Sequence, residues 1–250
     1  MDIPFDLLRI VAFYLVKPKM KLLDWINVNK LNWEQLSSNL NAIDLLEAHP
    51  NKIWWDVLSQ NPNALNLLEA NPKKINWYQL SKNPNALNLL KANPNMIEWQ
   101  EFSENPNALN ILEALGFCNK YHQSNLSQNP NALNLLKANP NEEIDWWELA
   151  YNPNAIHLFE TVALDSIPLD KINWSGLSEN PNALNLLKKY PNMIDWYCLS
   201  LNPNAMLLLE ANPKKIDWYM LSGNPSIFEI DLKETSIYLK KKANDIDYYS

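Results

Sequence analysis

Glycine is nearly missing from this chain, with three residues in 250 against seventeen prolines. Tight β-turns call on glycine for positive φ, so a fold built on many hairpins is disfavoured. Cysteine is as scarce. Cys118 and Cys198 stand 80 residues apart and offer neither a disulfide framework nor a metal-ligand spacing. His49, His122 and His157 are scattered, and no His/Cys/carboxylate group has zinc-ligand spacing. A Gly-rich phosphate loop and a nucleophile elbow are both lacking, and the Cys118–His122 pair has no third group to complete a catalytic set. No cofactor, no metal and no enzymatic activity is expected. Positive charge is also short: 21 Lys+Arg against 28 Asp+Glu leave a net charge of −7, which argues against a nucleic-acid partner. The one apolar run, residues 5–16, is interrupted by Asp6 and Arg9 and falls short of the ~20 residues of a membrane span. The acidic start lacks the basic region of a secretory signal. The expectation is a soluble, intracellular protein with no membrane partner.

What the chain has instead is a repeat. Asn-Pro pairs recur at fixed intervals, opening at Asn39, Asn61, Asn83, Asn105, Asn129, Asn152, Asn180, Asn202 and Asn224, with Leu40 replacing proline in the first. The intervals are 22, 22, 22, 24, 23, 28, 22 and 22 residues. Six residues before these asparagines stand Trp33, Trp55, Trp77, Trp99, Gln123, Trp146, Trp174, Trp196 and Trp218. A fixed period of this length is the signature of a stacked repeat architecture.

The segment 75–96 shows the local logic. Asn76 with Gln79 reads as a capping box, as do Asn32 with Gln35 and Asp145 with Glu148. Trp77 and Leu80 then share one face of a short first helix. Asn83 caps a second helix with Pro84 at its first position, where the missing N–H costs nothing. Ala86, Leu87, Leu89 and Leu90 form its apolar face, and Asn93-Pro94 ends it. A short strand over Ile75-Asn76-Trp77-Tyr78 is the competing reading for the first helix. Helices this short are marginal alone, so the units must stack to bury their tryptophans and leucines. The expected fold is all-α: an α-solenoid of nine helix-turn-helix units over 31–225, a helical cap over 1–30, and a cap and tail over 226–250. The eight tryptophans are expected in its core.

Two columns run along the second helices. One alternates in charge: Glu69, Lys91, Glu113, Lys137, Glu160, Lys188, Glu210. In a stack each would face its opposite, disfavouring wrong registers. The other is polar: Asn66, Asn88, Asn110, Asn134 and Asn185, which is either a solvated helix face or a strip that reads a partner. Residues 115–123 and 161–170 break the repeat, and insertions of this kind map to loops that often carry binding.

The N-terminal stretch, Ile3-Pro4-Phe5-Asp6-Leu7-Leu8-Arg9-Ile10-Val11 with a later aromatic at Trp33, resembles an F-box, a small helical module that docks onto a ubiquitin-ligase adaptor. The resemblance implies adaptor contacts at Pro4, Leu7, Leu8, Ile10 and Val11. A plain N-terminal cap is the alternative. Over residues 31–225, the pattern Trp-x-x-Leu-Ser-x-Asn-Pro-Asn-Ala-[Leu/Ile]-x-Leu-Leu resembles the Asn-Pro-rich repeats of proteins of large DNA viruses. That implies a viral, intracellular protein without assigning its activity. Together these readings point to a non-enzymatic scaffold binding a host or viral protein partner, with a substrate-recognition subunit of a ubiquitin ligase as the alternative.

Overall fold

A computed structural model describes residues 18–114, 123–138, 145–163 and 168–237. The units, numbered 1 to 9 by their asparagines, each begin with a first helix: Trp33–Ser38, Trp55–Leu58, Trp77–Lys82, Trp99–Phe102, Gln123–Gln128, Trp146–Leu149, Trp174–Glu179, Trp196–Leu199 and Trp218–Gly223. Units 1 to 8 add a second helix, such as Leu65–Ala70 and Leu87–Ala92. Helix therefore prevails over the strand reading of residues 75–78. The second Asn-Pro element opens a 3-10 turn, as at Pro72–Lys74, and the Asn71 amide closes the preceding helix by donating to the Leu67 carbonyl.

The core repeats with the sequence. The residue three after each tryptophan position is buried in every unit, from Leu36 and Leu58 through Phe102 to Leu221. The alanine three after each asparagine is wholly buried from Ala42 to Ala205, and Ile227 takes that place in unit 9.

Adjacent units are joined by hydrogen bonds. The Asn83 amide donates to the Ser59 and Asn61 carbonyls of the preceding unit, at 3.0 Å each. Its own Oδ1 accepts from the Asn85 N–H, so the buried amide is satisfied throughout. The Asn85 amide donates to the Pro62 carbonyl, and the Asn76 N–H to Ser59 Oγ. This last bond corrects the capping-box reading. Gln79 N–H does donate to Asn76 Oδ1 at 3.1 Å, but the cap's own N–H goes to a buried serine of the neighbouring unit.

The same bonds join the last unit to the first. Asn39 donates to the Ser222 and Asn224 carbonyls at 2.9 and 2.8 Å, Asn41 to the Pro225 carbonyl, and the Asn32 N–H to Ser222 Oγ. Lys30 lies over the Trp218 ring as Lys74 lies over Trp55. The solenoid is thus a closed ring, in which nine equal steps take up roughly 40° each. Where a ninth second helix would stand, β1 (Met20–Leu22) pairs antiparallel with β2 (Phe228–Ile230), Leu22 opposite Phe228. Of the expected N-terminal helical cap, the described residues 18–30 form instead a strand and a 3-10 turn, and both ends of the array are spent on each other. The physical reason is that a unit face able to bind its neighbour equally binds the far end once the curvature delivers it.

First helices pack closely on one another at the junctions of units 1 and 2, 3 and 4, 5 and 6, 7 and 8, and 9 and 1, whereas second helices of adjacent units nowhere pack as closely among the described residues. In a closed ring the shorter spacing belongs to the smaller circumference, so the first helices form the inner wall. At ~9 Å between neighbouring helices the wall lies about 13 Å from the ring axis.

Candidate interaction surface

With the tryptophan and the leucine three residues on turned into the core, helical geometry aims the positions one, two and five after the tryptophan at the ring axis. Contacts between units confirm this grouping. A Cβ at Gly223 would meet Leu201 of unit 8 at 2.7 Å and Gln35 of unit 1 at 3.2 Å. Lys82 of unit 3 pairs with Glu104 of unit 4 at 3.1 Å, and Asn125 of unit 5 donates to the same carboxylate. Gln128 donates to Glu148, and Ser175 to Asp195.

The wall is acidic and aromatic. Glu34, Asp56, Glu101, Glu104, Glu148 and Glu179 occupy these positions, and Lys82 is the one base among them. Tyr78, Trp147, Tyr197 and Tyr219 follow their tryptophans directly and are solvent-exposed, Trp147 by 58%. Several of the wall's ionisable groups are shifted, chiefly by burial and secondly by neighbouring negative charge. Burial first, then Asp145 and Glu104, holds the Glu148 carboxyl above its ordinary range. Burial alone raises Glu179. The Cys198 thiol is pushed up to about 12, by burial and then by Asp195 and Glu179. Tyr78 is raised chiefly by its hydrogen bond to Glu101, and Tyr197 by burial and then Asp217.

The tryptophans expected in the core sit on its flank. Trp33, Trp55, Trp77, Trp99, Trp146, Trp196 and Trp218 are half-buried against it, and Trp174 is buried. Several are covered by neighbours: Lys52 lies 5.0 Å from the Trp33 ring centroid and Lys215 5.4 Å from that of Trp196, while Tyr190 packs on Trp174 at 5.3 Å.

The asparagines of the second-helix column, Asn66, Asn88, Asn110, Asn134 and Asn185, are exposed on the outer helices, as is Leu207 at the same position. The unit 1 member, Asp44, instead accepts from Lys19 Nζ at 3.0 Å, because the strand β1 passes beside it. Glu69, Lys91, Glu113, Glu160, Lys188 and Glu210 of the charge column are exposed too, but no ion pair joins them among the described residues. Glu160 pairs with Lys189 at 3.7 Å and not with Lys188, since outer helices fan apart around a ring. Pro4, Leu7, Leu8, Ile10 and Val11 lie outside the described residues, as do Cys118, His122 and most of the two repeat breaks. Among the described residues no helix is long and apolar enough to cross a membrane, and no group of three His, Cys, Asp or Glu is placed to hold a metal.

Compared with known proteins, the chain matches no family model, no curated protein and no solved structure.

The wall escaped sequence reasoning because its residues vary from unit to unit. A signal was present in the position after the tryptophan, where Tyr78, Trp147, Tyr197 and Tyr219 place large aromatics on the face that the helical period assigns to solvent.

Proposed function

We propose that the ring is a non-enzymatic scaffold that binds a protein partner, host or viral, on its inner wall. The observation that carries this reading is the exposure of Tyr78, Trp147, Tyr197 and Tyr219 among wall carboxylates. Exposed aromatic side chains supply contact area at low entropic cost and dominate the energetics of protein interfaces. Nothing in the core needs them there, since the residue two positions further on fills it in every unit. The outer asparagines are the comparison surface.

The test is affinity capture from cells expressing the tagged chain, with mass spectrometry, for wild type, the double variant Trp147→Ser/Tyr197→Ser, and Asn88→Ser/Asn185→Ser. A partner retained by the outer-face variant and lost by the wall variant supports the reading. A partner lost only by the outer-face variant moves the interface to the second helices and overturns it.

A further inference from the structure

The wall is not uniform, and the arc contributed by units 6 to 9 differs from the rest. It carries the exposed rings of Trp147, Tyr197 and Tyr219. Its carboxylates are Glu148 and Glu179 on the helices and Asp145, Asp195 and Asp217 at their N-caps. No lysine or arginine stands at any of its N-cap or axis-facing positions. Asp217 and Tyr219 of unit 9 both act electrostatically on the Tyr197 hydroxyl of unit 8, so the wall groups of these two units feel one another.

Unit 3 shows what such a surface does with a cation. Lys82 is the wall's one base. Its Nζ sits 5.4 Å from the Tyr78 ring centroid while pairing with Glu104 at 3.1 Å. Aromatic face and carboxylate hold one ammonium between units. The arc of units 6 to 9 repeats the ring and the acid and omits the lysine. Elsewhere too the protein stacks ammonium groups on indole faces, with Lys30, Lys52, Lys74 and Lys215 each over a tryptophan. A cation over an aromatic face gains most where a carboxylate is also in reach.

We infer that the wall of units 6 to 9 binds a lysine- or arginine-rich peptide segment of a partner protein, each cationic side chain lying over one of Trp147, Tyr197 and Tyr219 and pairing with a neighbouring carboxylate. The inference rests on the scaffold reading and names the chemistry of its partner. Successive rings on units 6, 8 and 9 lie two and one helix spacings apart, roughly 10–20 Å, which suits an extended peptide better than a compact cation. The Glu148 carboxyl and the Cys198 thiol are held above their usual pKa first by burial and then by neighbouring carboxylates, and an arriving cation would relieve that second part.

Calorimetric titration of the full chain with octa-arginine, octa-lysine and octa-glutamate tests it. Both basic peptides are expected to bind, with octa-glutamate silent. Trp147→Ser/Tyr197→Ser, which keeps every carboxylate and the net charge, is expected to weaken both by about tenfold. Asn88→Ser/Asn185→Ser is expected to change neither, and circular dichroism of the variants is expected to match wild type, because these side chains are exposed. Binding that is equal in wild type and the aromatic variant would mean attraction to net charge alone and overturns the inference. So does a tenfold gain in peptide affinity on replacing Lys240, Lys241 and Lys242 by glutamine, which would make the chain's own basic run the occupant. If no basic peptide binds while partner capture still depends on Trp147 and Tyr197, the scaffold reading stands and the basic-peptide assignment falls.

Discussion

Two junctions of the ring differ in connectivity and hardly at all in bonding. Between units 2 and 3 the chain simply runs on. Between units 9 and 1 it must come back across 185 residues, from Asn224 to Asn39. Yet the asparagine amide donates to two carbonyls, the second asparagine to one, and the cap N–H to a serine in both places. The closing junction adds the β1–β2 ribbon and the Lys21–Glu229 ion pair at 2.8 Å. The interface, not the covalent link, makes neighbours. Once eight junctions have each turned the chain by the same angle, unit 9 arrives beside unit 1 with little further loss of chain entropy.

The largest effect is expected from replacing the same amide at both junctions. Asn83→Asp and Asn39→Asp each put a carboxylate against two buried carbonyls and remove both donors. Each is expected to cost about 3 kcal/mol or more in urea unfolding. In an open stack Asn39 would face water and its variant would cost well under ~1 kcal/mol, so unequal losses would refute closure in solution. Phe228, in the β2 strand of the closing ribbon, is buried, and Phe228→Ala is expected to cost about 3 kcal/mol by the same measurement, against nothing comparable at the internal junctions, which lack a ribbon. Gly176→Val crowds the junction of units 6 and 7, where Ala150 replaces the bridging serine. A Cβ at residue 176 would stand 3.0 Å from the Ala150 Cβ, so the expected loss is about 1–3 kcal/mol, seen as a lower thermal midpoint.

The smallest effect concerns Glu179. Burial raises its folded-state pKa above the unfolded value. Below the unfolded pKa both states are protonated and no penalty exists. As pH rises the unfolded carboxyl ionises first, and the penalty is complete above the folded pKa. Glu179→Gln is therefore expected to stabilise near neutral pH, by up to about 1 kcal/mol, and to do nothing at about pH 3. Equal effects at both pH values would assign the change to packing instead.

Much of the local structure was legible. Asn32, Asn76 and Asp145 cap their helices as the sequence suggests, and Leu36, Leu58 and Leu80 are buried at the spacing that the period demands. What escaped was set between units. A 22-residue period says that units stack, and says nothing of the angle between them, so closure was invisible. The bridging role of Asn83 was hidden behind its capping role. A cap needs only an acceptor, and serine, threonine or aspartate would serve. That asparagine stands at all nine positions was the clue that its donors also have work, and they supply two hydrogen bonds at every junction. The alternating Glu/Lys column misled for the same geometric reason: equivalent positions are near neighbours on the inner circumference and not on the outer. Residues 20–22 were read as part of a helical cap because three residues carry no period to tell strand from helix.

Closure also turns a length into an integer. An open array can gain or lose a repeat through unequal recombination and remain an array, one rung longer or shorter, its ends intact. Here every rung is already held on both sides by the Asn39-type amides, from unit 1 round to unit 9. Removing or inserting 22 residues anywhere leaves an arc short by a whole unit or overlapping by one, and the mismatch appears at the β1–β2 ribbon wherever the change was made. The ring therefore counts its own repeats, and single units can drift in sequence far more freely than they can drift in number.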